Sequence, residues 1–78
     1  MHEAALRSSI LRVLGQWGSL PETDLIRRLP PEQAAEYGLP VLQALADSGL
    51  IVVRQVGDER VIRLTEQGRA QGGTSQPL

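Results

Sequence analysis

The run Leu42-x-x-Leu45-x-x-x-Gly49-Leu50-Ile51, followed by Gly57-Asp58 and then by Leu64-Thr65-x-x-Gly68, constrains this chain more than any other feature. Leucines three apart share one face of a helix, and Gly49 supplies the left-handed residue that ends it, so that Leu50 can fold back on Leu45 in a Schellman arrangement. Residues 51–55 and 60–64 are β-rich and flank a tight turn, which predicts a hairpin. Thr65 can then cap a short helix running through Ala70.

Upstream, Leu6, Ile10, Val13, Leu14 and Trp17 recur at helical spacing and predict a first helix with this stripe in the core, Trp17 included, ended by Gly18. Ser19-Leu20 suits a stub of strand, and Pro21 suits the first position of a second helix, where its missing N–H costs nothing. That helix runs to about Leu29, burying Leu25, Ile26 and Leu29 and turning Arg27 and Arg28 to solvent. Pro30-Pro31 must stop it, because the residue before a proline is pushed out of the α region. Residues 31–37 can form a short helix ended by Gly38, and Pro40 can start the last main helix, which runs to Ser48 and buries Val41, Leu42 and Leu45. The alternative is one kinked helix over 31–48. Residues 71–78 have no apolar periodicity, so the expected organisation is one domain over 1–70 and a disordered tail.

A chain of 78 residues holds one modest core. With no Phe, one Trp and one Tyr that core is aliphatic, and little aromatic surface is left to stack single-stranded bases. The absence of Cys excludes disulfide and thiolate chemistry, and His2 stands alone without a second ligand, so no metal or other cofactor is expected. The same lone imidazole, in a chain with no Lys, leaves the serines without a general base, and an enzyme is not expected. No apolar stretch is long enough for a membrane span or a signal peptide, which places the expected protein in the cytoplasm.

The order helix, strand stub, helix, helix, two-stranded wing, short helix is similar to the winged helix-turn-helix domains of MarR-, PadR- and ArsR-type regulators. Asp58-Glu59-Arg60 followed by Leu64-Thr65-Glu66-Gln67-Gly68 resembles the Asp-x-Arg and Leu-Thr-x-x-Gly elements of the MarR wing. The resemblance implies a mainly α fold with a small antiparallel wing, a three-helix core plus two or three strands, and a small DNA-binding protein acting as a transcriptional regulator or accessory factor. It implies that Arg60 enters the minor groove. The long flanking helices through which MarR and PadR proteins dimerise have no counterpart after Gly68, and the oligomeric state is left open.

Charge points the other way. Residues 1–30 carry four Arg against Glu3, Glu22 and Asp24; residues 31–49 carry Glu32, Glu36 and Asp47 with no base; residues 50–70 carry four Arg against Asp58, Glu59 and Glu66. The helix expected to read a groove therefore offers only Gln43 as a base-edge partner, and duplex DNA would have to be held by Arg27, Arg28, Arg54, Arg60 and Arg63 on phosphates. The rival function is a protein-interaction module, an adaptor or subunit, in which Glu36 and Asp47 suit a basic partner and Trp17, wherever exposed, offers a contact.

Overall fold

The computed structural model describes residues 3–73. Helix α1 (Glu3–Trp17) opens the chain and places Leu6, Ile10 and Leu14 at the centre of the core, with Leu11 beside them. Trp17 departs from the expected core position: it is 55% exposed. Trp17 is the last residue of α1, and the Arg28 guanidinium lies over its ring. Gly18, at φ +83°, then turns the chain, and its N–H closes on the Leu14 carbonyl at 2.7 Å.

Strand β1 (Ser19–Pro21) runs directly into α2 (Glu22–Arg27). Pro21 thus ends a strand and stands at the helix N-cap, one position before the expected one, and it has no side chain that can cap. The chain leaves α2 at Arg28, and Leu29 reaches the core from outside the helix. Ile26, expected in the core, is only partly buried. Helix α3 (Pro31–Ala34) is a single turn with Pro31 in its first position, shorter than the expected 31–37. Gly38 is fully extended (φ −172°, ψ 175°) and separates α3 from α4 (Leu39–Asp47), which excludes one kinked helix over this stretch. Helix α4 buries Val41, Leu42 and Leu45 and ends as its sequence requires: Gly49 sits at φ +80°, its N–H donates to Ala46 O at 2.9 Å, and Leu50 N–H donates to Leu45 O at 3.0 Å. Those are the two bonds of a Schellman motif.

Strands β2 (Ile51–Val56) and β3 (Glu59–Leu64) form an antiparallel hairpin, and β1 adds to the free side of β3, giving the order β1-β3-β2. The hairpin loop is Gly57-Asp58, with φ +63° at the glycine and no positive φ at the aspartate, the pattern of a type II′ turn. The register pairs Val53 with Ile62 and Leu20 with Ile62, so the inner face carries Leu20, Ile51, Val53, Ile62 and Leu64. The alternate residues Ser19, Val52, Arg54, Val56, Val61 and Arg63 share the outer face. Pro21, with no N–H to give, is tolerated because β1 is an edge strand.

The Leu64-Thr65-x-x-Gly68 element returns the chain to the core. Thr65 caps α5 (Glu66–Gly68) by accepting the Gly68 N–H at 3.0 Å, and its hydroxyl lies 2.7 Å from Gly49 O. Its own N–H donates to Leu50 O at 3.0 Å, so one residue ties β3 to the end of α4. A π-type turn over Arg69–Gly73 follows and lies along α1. Residues 71–73, assigned to a disordered tail by their composition, belong to this turn, and 74–78 lie outside the described residues. The observed molecule is helix-rich with one small three-stranded antiparallel sheet.

Candidate interaction surface

The turn end of the hairpin is clamped to the start of α2 by two carboxylates in opposite directions. Glu22 Oε1 accepts from Arg60 Nε at 3.1 Å, while its Oε2 accepts from the Tyr37 hydroxyl at 2.8 Å. Glu59 in turn accepts from the Thr23 backbone N–H at 3.3 Å and from the Thr23 hydroxyl. Because Pro21 cannot cap α2, Glu59 takes over that role from across the chain, at the positive end of the helix dipole. Burial first, and then the hydrogen bond to Glu22, push the Tyr37 phenol well above its ordinary range. The absence of a capping side chain at Pro21 is the one local sign in the sequence that an acceptor has to arrive from elsewhere.

This clamp decides where Arg60 goes. Its side chain lies on the inner face of the sheet, opposite Gln55, half-buried and paired with a carboxylate that is only 18% exposed. The guanidinium is therefore held against α2, and the tip of the hairpin beyond it presents Gln55, Val56, Gly57 and Asp58, all exposed and without a cation.

Helix α4 and the hairpin enclose a groove of about 260 Å³ lined by Leu39, Leu42, Gln43, Ala46, Val53 and Arg60. Its floor is aliphatic, and Leu39 is 49% exposed at its mouth. Gln43 and Arg60 come together here. Asp47, one helical turn beyond Gln43, is exposed, as is Asp58 at the hairpin tip. Glu36 is exposed elsewhere, in a depression with Ala5, Glu32 and Gln33, so it does not share the groove.

The remaining arginines lie on other surfaces. Arg27 and Arg28 are exposed at the end of α2, Arg27 with Asp24 at 3.9 Å. The Arg28 guanidinium carbon stands 4.5 Å from the centre of the Trp17 ring. Arg54 and Arg63 are exposed on the outer face of the sheet, and Arg63 and Trp17 line one open groove. Of the six residues assigned to DNA contact, the structure thus brings Gln43 and Arg60 together and leaves the other four on α2 and the outer sheet face.

Among the described residues no group of three His, Cys, Asp or Glu side chains could hold a metal ion, and no helix is long and apolar enough to cross a membrane. His2 lies outside the described residues. No protein-family model, no curated protein and no solved structure matches this chain.

Proposed function

We propose that the chain is a winged helix-turn-helix module that binds a partner protein, with an amphipathic segment seated in the groove between α4 and the hairpin. The support for the fold is the order of elements and the sheet order β1-β3-β2, in which the hairpin flanks the third main helix. One observation carries the function: where a groove-reading surface needs cations, this one is aliphatic, and the Arg60 of its wing is already held by Glu22. Apolar side chains of the segment fill the space beside Leu39 and Val53, and basic residues flanking them meet Asp47 and Asp58. The protein acts in this reading as an adaptor or subunit of a larger assembly in the cytoplasm.

Calorimetric titration with a synthetic amphipathic helix bearing Leu and Arg tests it. Saturable binding that is lost in Leu39→Ser and weakened in Asp47→Asn is the expected outcome; no binding by the native chain contradicts it.

The second reading, duplex DNA binding in transcriptional regulation, is favoured by the exposure of Arg27, Arg28, Arg54 and Arg63. All four lie off α4, so DNA would be held by its backbone with little sequence discrimination, and Gln43 would contribute no base contact. Affinity for random duplex that falls steeply with salt supports this reading, and negligible affinity at low salt removes it.

A further inference from the structure

The surface around Trp17 has a chemistry unlike that of the α4 groove. Trp17 is 55% exposed although it is the chain's one tryptophan, and Arg28 covers one side of the ring at 4.5 Å. Beside it runs an open groove of about 440 Å³ lined by Trp17, Gly18, Ser19, Arg63, Thr65 and Glu66, among others. The groove leads onto the outer sheet face. There Arg63 pairs across the ladder with Val52, and Arg54 stands two residues further along the same strand, so the two guanidiniums are diagonal neighbours, roughly 7 to 8 Å apart at their Cα atoms. Glu59, the acid on this face, is turned away to Thr23.

From this arrangement we infer that the Trp17 groove binds a single-stranded nucleic-acid segment, with one base stacked on the indole and the adjoining phosphates on Arg63 and Arg54. Stacking needs an exposed ring plane with no sequence preference, and Arg28 behind the ring completes a guanidinium–indole–base sandwich. A duplex presents no open base face to such a plane. An acidic peptide would satisfy the arginines but leave the indole without a flat partner. Glu66, also in the lining, disfavours a phosphate beside its carboxylate. The site is separate from the α4 groove and does not depend on the protein-binding reading.

Because Trp17 is the chain's one tryptophan, its emission reports occupancy directly. The native chain is titrated with a short oligothymidylate, a duplex of equal length and polyglutamate, at low and moderate salt, with binding followed by Trp17 quenching and by anisotropy of the labelled oligonucleotide. The expected result is saturable quenching by the oligothymidylate, weakened by salt. Trp17→Ala should lose roughly 10-fold in affinity by anisotropy while Trp17→Phe retains most of it, and Arg63→Gln and Arg54→Gln should each weaken binding several-fold. Leu39→Ser, which removes an apolar contact from the other groove, should leave this binding unchanged. Circular dichroism of each variant establishes that it is folded. Absence of saturable quenching, unchanged affinity in folded Trp17→Ala, or equal or tighter binding of the duplex or polyglutamate would overturn the proposal.

Discussion

Gly68 is glycine because the chain passes too close to itself for anything larger. A Cβ there would overlap the Leu50 carbonyl oxygen and come within 2.7 Å of Leu64 Cδ1. Gly68→Ala should therefore cost about 1 to 3 kcal/mol in denaturant unfolding, as overpacking does, and an unchanged midpoint would mean that α5 can move away from β2. Tyr37 gives a pH-dependent test. Its phenol is raised above the ordinary value of 10.0, so the folded protein keeps a proton that the unfolded chain releases. The stability it confers is complete below pH 10.0 and declines as pH rises above that value. In Tyr37→Phe this alkaline decline should disappear from the stability profile. At this scale the sequence marked Gly68 and Thr65 through their motif, but the physical reasons, a carbonyl contact and a cap bonded back to the end of α4, involve residues fifteen or more positions away. The Glu22–Arg60 pair was hidden for the same reason, being thirty-eight residues apart.

Local chemistry made the elements legible and long-range packing made the rest obscure. Gly18 and Gly49 end their helices where the sequence requires, because a left-handed residue after an apolar turn is a short-range signal. Trp17 continues the helical spacing of the core stripe yet is exposed, because spacing alone does not say what covers the end of α1. At the end of α4, Leu45 is fully buried and its carbonyl receives the Leu50 N–H. Leu45→Ala should cost roughly 2 to 5 kcal/mol by thermal or chemical unfolding, and a smaller loss would show that the site collapses around the deletion. Arg60→Ala removes one arm of the clamp between β3 and α2 while leaving Glu22 with Tyr37 and Glu59 with Thr23. For a half-exposed pair the expected cost is about 1 kcal/mol. The same variant should leave a DNA affinity, where one is measured, unchanged in its salt slope; a slope reduced by about one would return Arg60 to a phosphate.

Over the whole molecule, charge is segregated in a way the net value of −1 conceals. Four exposed arginines, Arg27, Arg28, Arg54 and Arg63, lie on the end of α2 and the outer sheet face, whereas α4 and the hairpin tip present aliphatic side chains, Gln43, Asp47 and Asp58. The imbalance between segments was readable from the sequence, but the pairing of Arg60 with Glu22 and the groove beside Leu39 required the folded chain. In the proposed function the α4 and hairpin face receives a protein segment and not a DNA duplex. Amide chemical-shift mapping tests it most directly, with the labelled chain titrated separately with random duplex DNA and with an amphipathic Leu- and Arg-bearing peptide. The peptide should shift the amides of Leu39, Gln43, Ala46 and Val53, and the duplex should leave them in place. Duplex-induced shifts centred on Gln43 and Asp47, with none from the peptide, would contradict it.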